Sequence, residues 1–223
     1  MAFSIEWNNL YRANTHLSIW PWSDLVSYVN RYANPDAGFI KVLELGCGAG
    51  ANIPLFLNMK ADYWAIEGSS TITERVLATY PDLQGRILIG DFTKEIPFPP
   101  PFDLVVDRFS LNCNPTEAIR QSLSLVFEIL RSGGKFIGID WSSDLHSDAH
   151  SGDAVDSHAR QNFPSNSHLA GTGVVHFSDR VHLTELLEST GFRLERLEHK
   201  KLQVEIPHDG QCLGFWNFVA VKP

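Results

Sequence analysis

Five short apolar runs occur in the first part of the chain, and each is followed by a glycine or an acidic residue. The runs occupy residues 40–45, 63–66, 86–89, 103–106 and 135–139. A strand that helices cover on both faces gives such a continuous apolar run, whereas a half-exposed strand alternates apolar and polar residues. The sequence therefore predicts five buried, parallel strands.

Segments with helical period separate these runs, and helices are predicted at 52–59, 70–79 and 115–131. A strand followed by a helix, repeated along the chain, is typical of a doubly wound α/β sheet. Farther along, a fourth helix is predicted at 180–190.

Two more strands follow, at 192–204 and 215–221, on either side of a turn signal at 207–210, which indicates an antiparallel hairpin. Together these elements predict an α/β fold. It is a Rossmann-like, doubly wound sheet of seven strands, with helices on both faces and a C-terminal antiparallel hairpin.

The composition excludes several classes of protein. Hydrophobic residues make up 43% of the chain and charged residues 20%, which is not the composition of a disordered protein. The formal net charge is −8, so no nucleic-acid partner is expected. No run has the length of a membrane span and no export signal is recognised, so no membrane partner is expected. The three cysteines, Cys47, Cys113 and Cys212, are isolated, which disfavours disulfides and predicts a reduced, cytoplasmic protein.

A glycine-rich loop follows the first predicted strand and leads into a helix. It contains Gly46, Gly48 and Gly50, and glycine at such a place lets a ligand come close to the backbone. Glu67 ends the second strand, 21 residues after Gly46, which is the spacing of a carboxylate that binds a ribose diol. Asp91 ends the third strand, and Phe92 beside it can lie against a flat base.

A dinucleotide site is a competing interpretation of this loop, because Gly46, Gly48 and Ala51 also satisfy the G-x-G-x-x-G/A pattern. Glu44 distinguishes a dinucleotide site from a site for a cationic ligand. A dinucleotide site offers helix N-terminal amides to a pyrophosphate, and a carboxylate two residues before the first glycine would repel that anion. A cationic ligand would be attracted instead.

The segment 44–50, Glu-Leu-Gly-Cys-Gly-Ala-Gly, resembles the E/D-x-G-x-G-x-G motif of class I S-adenosylmethionine-dependent methyltransferases. The resemblance covers residues 35–140 and extends to the C-terminal hairpin. It implies that S-adenosyl-L-methionine is the cofactor and S-adenosyl-L-homocysteine the product. The residues that it implies for cofactor binding are Glu44, Gly46, Cys47, Gly48, Asn52, Glu67, Gly68, Ser69, Asp91, Phe92, Asp107, Arg108 and Phe109.

Two of these expectations carry alternatives. Family members often bind the methionine carboxylate with an N-terminal arginine, and Arg12 is the candidate here. Asp107, like Asp140, ends a predicted strand and fits a helix cap as well as it fits a ligand contact.

A chain of 223 residues without a linker predicts a single domain. Its expected parts are a helical cap at 1–34, a cofactor-binding core at 35–141, a substrate-covering insertion at 142–176, and a helix and hairpin at 177–223.

The methyl acceptor is expected to lie against residues 142–176, which leave the fifth strand at the edge where ligands of such folds bind. This segment holds five of the nine histidines. Its His146-Ser147-Asp148 and residues 171–179 resemble elements of bacterial small-molecule methyltransferases, many of which act on sugars or polysaccharide precursors. His146 and His176 are therefore predicted to be catalytic, one of them as the general base of an O-methylation. The predicted acceptor-binding residues are Trp20, Trp22, Trp141 and Asp148.

A metal site is a further interpretation of this segment, because six possible ligands fall between residues 146 and 158. The pattern does not match metal-dependent methyltransferases, so no metal is predicted.

Taken together, these features predict a methyltransferase that transfers a methyl group to a small-molecule hydroxyl. The alternatives are an NAD(P)-dependent oxidoreductase and a catalytically silent partner that binds the cofactor. No sequence feature predicts the oligomeric state.

Overall fold

The computed structural model describes residues 5–33, 40–206 and 210–223. Six α-helices lie in these ranges. The first two, α1 (Ile5–Arg12) and α2 (Ser23–Tyr32), precede the sheet. The other four are α3 (Ile53–Asn58), α4 (Ser70–Thr79), α5 (Thr116–Ile129) and α6 (Arg180–Ser189).

Seven strands form the main sheet. In chain order they are β1 (Lys41–Leu45), β2 (Asp62–Glu67), β3 (Ile87–Ile89), β4 (Phe102–Arg108), β5 (Leu130–Ser142) and, after three short strands described below, β9 (Arg193–Gln203) and β10 (Cys212–Val221). The spatial order is β3-β2-β1-β4-β5-β10-β9. Strands β1 to β5 pair in parallel, and β10 pairs antiparallel with both β5 and β9. The predicted doubly wound, seven-stranded sheet is therefore confirmed.

Alternate residues of the buried strands face two separate apolar layers. On β1, Leu43 and Leu45 belong to a cluster with residues of α5 and α6, whereas Val42 belongs to a cluster with residues of α2, α3 and α4. All three β1 side chains are fully buried. This burial on both faces is the physical reason for the continuous apolar runs in the sequence.

The largest departure from the predicted boundaries concerns β5. The helix predicted to reach residue 131 ends at Ile129, and the strand predicted to begin at residue 135 begins at Leu130 and continues to Ser142. Phe102 of β4 pairs with Leu130 and Leu104 pairs with Lys135, so the Gly133-Gly134 pair lies in the irregularity between these two pairs and not in a separate turn before the strand. The turn predicted at 207–210 lies mostly outside the described residues.

Residues 142–176 form a small antiparallel sheet of their own, with β6 (Asp153–Ala154), β7 (Ala159–Gln161) and β8 (Val175–His176). Its apolar cluster includes Phe163, Val175 and Phe177, and Phe109 of the main body packs against it. None of the helices in the described ranges is long and apolar enough to cross a membrane.

Candidate active site

A cavity of about 410 Å³ lies at the carboxyl ends of the parallel strands, where the strand order reverses between β1 and β4. Ligands of open α/β sheets bind at such a reversal point, because the loops that follow the two central strands turn to opposite sides there. Most of the residues predicted to bind the cofactor line it. They are Glu44, Gly46, Cys47, Gly48, Asn52, Glu67, Gly68, Asp91, Phe92, Arg108 and Phe109.

The glycine loop is packed so closely that side chains would fill the space in front of it. Gly46 has a φ of +66°, and a Cβ at this position would lie 2.2 Å from the Ser110 Oγ. Gly48 has a φ of +50°, and its Cβ would lie 3.0 Å from the Tyr11 hydroxyl oxygen. Both positions require glycine because of backbone conformation and close approach, so the loop presents bare backbone to the cavity.

Glu67 is held rigidly at the end of β2. It is buried, and its two carboxylate oxygens accept hydrogen bonds of 2.9 Å from the backbone N–H groups of Gly48 and Ser69. Burial raises the pKa of this carboxyl, and the backbone donors oppose that rise. Each oxygen keeps a second lone pair, so the group can accept two hydrogen bonds from a diol.

Glu44, on β1, is a second buried carboxyl that lines the cavity. Its Oε1 accepts a hydrogen bond of 2.8 Å from the Asn52 side-chain amide, and its Oε2 accepts one from the Tyr63 hydroxyl. Burial raises its pKa to about 7, although both hydrogen bonds act in the opposite direction. The carboxyl therefore titrates near neutral pH, and an arriving cation would favour its ionised form.

Asp91 and Phe92 follow β3 and line the cavity side by side. The Asp91 Oδ1 accepts hydrogen bonds from the backbone N–H and the hydroxyl of Thr93, at 3.1 and 2.6 Å. Its Oδ2 lies 3.4 Å from the Lys94 ammonium. These contacts hold the Asp91 carboxylate in place, and its predicted contact with the adenine stays a prediction.

Two predicted site residues lie beneath the cavity rather than in its wall. Asp107 is fully buried and accepts hydrogen bonds from the backbone N–H of Leu111 and from the Trp141 indole N–H, at 2.8 and 2.6 Å. Burial raises the pKa of Asp107 to about 7. Trp141 has no exposed surface and packs against Phe218, so its position differs from the predicted acceptor contact. The predicted strand end was three residues short, since β5 continues through Trp141 to Ser142.

Two other residues predicted to bind the cofactor are also absent from the cavity wall. Arg12 is exposed in the last turn of α1. Ser69 is buried and caps α4, with its Oγ accepting from the Ile72 N–H and donating to the Asn8 side chain. The positions of Arg12 and Ser69 correct the predicted cofactor contacts.

The predicted catalytic histidines lie away from the cavity. His176 is fully buried in β8, where its Nε2 lies 3.2 Å from both the Thr116 Oγ1 and the His182 Nε2. Burial, followed by the neighbouring His182, lowers its pKa to about 3. His146 is buried, and its Nδ1 accepts a hydrogen bond from the Asp148 N–H.

The other residues of the insertion, like His146 and His176, do not line the cavity. Asp148 accepts a hydrogen bond of 2.8 Å from the Ser167 hydroxyl, and it is nearly buried. None of residues 142–176, all of which are described, lines the cavity. The predicted role of the segment as the wall of an acceptor site therefore does not match its position. Its polar residues bond to one another around the apolar cluster at Phe163.

Residues of the N-terminal segment line the cavity, whereas residues of the insertion do not. Of the N-terminal aromatic residues named in the prediction, Trp22 lines the cavity, whereas Trp20 is 74% exposed. Four more residues of the N-terminal segment line the cavity, and the sequence had given them no role in the site. These are Trp7, Tyr11, His16 and Ser18. The aromatic content of the segment was the available signal, but it did not show which side chains face inward.

Histidines and carboxylates do not assemble into a metal site in the described ranges. No group of three or more His, Cys, Asp or Glu side chains there is arranged to hold an ion. His158 and His182 stack face to face, with ring centroids 3.5 Å apart, and do not converge on a common point.

Comparisons with known proteins agree with this geometry. A family model described as a methyltransferase domain matches residues 42–134. No curated protein sequence matches the chain. Among solved structures, an S-adenosylmethionine-dependent methyltransferase from Methanosarcina mazei is similar, with 15% identity, a TM-score of 0.67, and coverage of 91% of this chain and 98% of that one.

Two further structures hold the cofactor or an analogue. A magnesium protoporphyrin IX methyltransferase from Synechocystis PCC 6803, with bound S-adenosylmethionine, has 14% identity and a TM-score of 0.57, over 90% of this chain and 79% of that one. A glycopeptide N-methyltransferase complexed with sinefungin has 18% identity and a TM-score of 0.58, over 89% and 86%. The family model thus assigns a methyltransferase domain to residues 42–134, and the fold around these residues is the one found in the S-adenosylmethionine-dependent methyltransferases of known structure.

Proposed function

We propose that the enzyme transfers the methyl group of S-adenosylmethionine to a hydroxyl oxygen of a small acceptor, such as a sugar. The observation that carries this proposal is that two chemically different sets of residues line one cavity. The first set is the glycine loop with Glu44, Glu67 and Asp91, and the second consists of aromatic side chains and a histidine. We assign these sets to two parts of the cavity.

The first part fits the cofactor. The diol of the ribose matches the two oxygens of Glu67, and the adenine matches Asp91 with the Phe92 ring. Gly46 and Gly48 line the cavity without side chains, so the cofactor can lie against the backbone of the loop. Glu44 supplies a carboxylate for a cationic group of the methionine part.

We expect Glu67→Ala to weaken S-adenosylhomocysteine binding by about 1–3 kcal/mol, because it removes charge-assisted hydrogen bonds to the ribose diol. The measurement is isothermal titration calorimetry at pH 8. Glu95→Ala is the matched control, since Glu95 is exposed, follows β3 and does not line the cavity. Equal affinities of Glu67→Ala and the parent would contradict the ribose assignment.

The second part fits an acceptor with a flat apolar face. Trp7, Trp22 and Phe109 line it together with His16. The His16 ring meets the Trp7 ring edge-on, with centroids 5.3 Å apart. Its Nδ1 lies 3.1 Å from the Thr15 hydroxyl, and its Nε2 has no hydrogen-bond partner within the described ranges. This leaves one imidazole nitrogen able to interact with an acceptor.

Methyl transfer to a hydroxyl requires a group that takes up the proton. When bound, S-adenosylmethionine would supply an electrophilic methyl on a sulfonium, so that a C–O bond to the acceptor would form as the C–S bond breaks and the sulfur would become neutral. The His16 Nε2 would accept the hydroxyl proton. Burial, followed by the positive charge of Arg108, lowers the pKa of His16 from its usual 6.5, so this imidazole is neutral and basic at pH 7.

We expect His16→Gln to lower kcat by about a hundredfold, which is the usual contribution of a general base, and to leave S-adenosylhomocysteine affinity unchanged. The kcat of the parent should fall on the acid side of pH 6.5, and the variant should lose that dependence. His150→Gln is the control, since His150 is exposed and lies in the insertion. A fully active His16→Gln variant with the parent's pH profile would remove His16 as the base.

The acceptor chemistry is tested by measuring S-adenosylhomocysteine release with matched small alcohols, sugars and amines. The proposal expects turnover with hydroxyl acceptors, and mass spectrometry should place the methyl group on oxygen. Turnover confined to amines would contradict methylation at oxygen. Cofactor binding without turnover on any acceptor would favour a catalytically silent protein.

A further inference from the structure

Arg108 at the end of β4 is held in an unusual way for a cavity-lining arginine. Its Nε donates a hydrogen bond of 3.1 Å to the Asp140 Oδ2. Its guanidinium lies over the Trp22 ring, with the Cζ 3.7 Å from the ring centroid. The carboxylate fixes one edge of the guanidinium and the indole fixes its plane, so little rotational freedom remains.

The carboxylate that orients Arg108 is itself fixed by the C-terminal hairpin. The Asp140 Oδ1 accepts a hydrogen bond of 2.7 Å from the Lys200 ammonium of β9. The Asp140 backbone N–H donates to the Asn217 side chain of β10, at 2.9 Å. Lys200 also pairs with Asp24 at the start of α2. Three elements of the fold therefore hold Asp140, and through it they set the direction of Arg108.

The outer edge of the guanidinium is left without a protein partner. Within the described ranges, Nη1 and Nη2 of Arg108 make no hydrogen bond, while the side chain is only 28% exposed. These two nitrogens form the fork that matches a carboxylate or phosphate in two parallel hydrogen bonds. An acceptor that fills the cavity displaces water from this fork, and donors that are buried without a partner weaken binding. The occupant must therefore supply oxygen atoms there.

Two anions can reach this fork, the carboxylate of the cofactor and an anionic group on the acceptor. The contacts of Arg108 favour the acceptor. Asp140, which accepts a hydrogen bond from Arg108, lies on β5, and Trp22 belongs to the aromatic part of the cavity wall. The cofactor-facing carboxylates Glu44 and Glu67 lie on β1 and β2, on the other side of β4.

We propose that the acceptor carries an anionic group, a carboxylate or a phosphate, and that the Nη1 and Nη2 atoms of Arg108 bind it beside the Trp22 ring. This inference rests on the proposed function and narrows its substrate class to acidic small molecules. Asp140 acts as a positioning residue, because it touches the guanidinium and not the acceptor.

The test uses acetate as the smallest carboxylate probe and does not depend on turnover. The side-chain Nε signals of the arginines are recorded by ¹⁵N NMR while acetate is titrated at constant ionic strength, with and without saturating S-adenosylhomocysteine. Arg108→Lys assigns the signal. Arg131 is the internal control, because its Nε also pairs with an aspartate, Asp103, but lies outside the cavity.

We expect a saturable shift of the Arg108 signal in both states and no saturable shift of the Arg131 signal. A shift that disappears when S-adenosylhomocysteine is bound would show that the cofactor's carboxylate occupies the fork, and it would overturn the proposal. The absence of a saturable shift, or equal shifts of both arginines, would also overturn it. Failure of cofactor binding in the calorimetry above would instead contradict the proposed function.

A kinetic experiment tests the same proposal by comparing charged and neutral acceptors as substrates. Matched pairs of an aldose and its uronic acid, such as galactose and galacturonate, are compared as substrates of the parent, Arg108→Lys and Arg131→Lys. The parent should prefer the acid. Arg108→Lys keeps the charge but loses the fork, so the acceptor KM should rise roughly tenfold or more while S-adenosylhomocysteine affinity stays constant. Preference for the neutral sugar by the parent would contradict an anionic acceptor.

Discussion

Replacing Gly46 by alanine is expected to lower kcat/KM by about a hundredfold or more, because small displacements of a positioning loop have effects of this size. The added Cβ would lie 2.2 Å from the Ser110 Oγ and 2.5 Å from its Cβ. Ser110 cannot yield freely, since its hydroxyl donates to the Gly46 carbonyl oxygen at 3.1 Å. The Gly46 N–H also bonds to the Ile66 carbonyl oxygen at 2.7 Å, so the loop must separate from β2 or from Ser110.

Gly85→Ala is a matched control for the backbone effect. Gly85 has a φ of +78°, close to that of Gly46, but its Cβ would meet no atom within 4 Å. Both variants adopt a left-handed conformation that costs an alanine about 1–2 kcal/mol of stability. Urea denaturation should show this loss for both. Calorimetry should show weakened S-adenosylhomocysteine binding for Gly46→Ala alone, and equal binding by both variants would contradict a steric cause.

The cofactor half of the site was predictable because its determinants are local in sequence. Gly46 follows β1 directly, Glu67 is the last residue of β2, and Asp91 lies two residues after β3. Parallel strands bring their carboxyl ends to one edge of the sheet. Once the strands are recognised, these residues must come close together. Strand burial on both faces made that recognition straightforward, since apolar residues dominate each run and do not simply alternate with polar ones.

The acceptor half was not predictable in the same way, because tertiary packing decides it. The polar composition of residues 142–176 suggested a loop open to substrate, yet the segment encloses its own apolar cluster and buries His146 and His176. The run Val174-Val175-His176-Phe177 was the sequence signal for this, since it reads as a buried strand. His16 lies in a short connection between two helices, and no periodicity shows which way such a side chain points.

The two halves meet at the segment between α1 and α2. The Trp22 N–H donates to the Asn52 side-chain oxygen at 3.3 Å, and the Asn52 amide donates to Glu44. The Trp22 ring also lies against the Arg108 guanidinium. Trp22 is thus linked through Asn52 to Glu44, which is proposed to face the cofactor's cation, and it directly contacts Arg108, which is proposed to bind the acceptor. This arrangement makes the protonation of Glu44 relevant to the whole site.

Cofactor affinity is expected to fall as the pH drops below 7, by about tenfold for each pH unit. Glu44 in the free enzyme has a pKa raised by burial to about 7, so it is protonated in acid and ionised in base. The methionine ammonium of the cofactor favours the ionised form, so binding below pH 7 requires loss of a proton. The same raised pKa means that its contribution to folding stability is full at acid pH and is lost as the pH rises through about 7.

Calorimetry of S-adenosylhomocysteine binding between pH 5 and 8 measures this dependence. Glu44→Gln should bind more weakly than the parent at pH 8 and show a flat profile, because the titrating group is gone. 5′-Methylthioadenosine is the matched ligand, since it lacks the amino-acid part and should bind the parent with little pH dependence. If Glu44→Gln kept the pH dependence of the parent, a group other than Glu44 would be responsible for it. Asp107 would be the first candidate, because burial also raises its pKa to about 7.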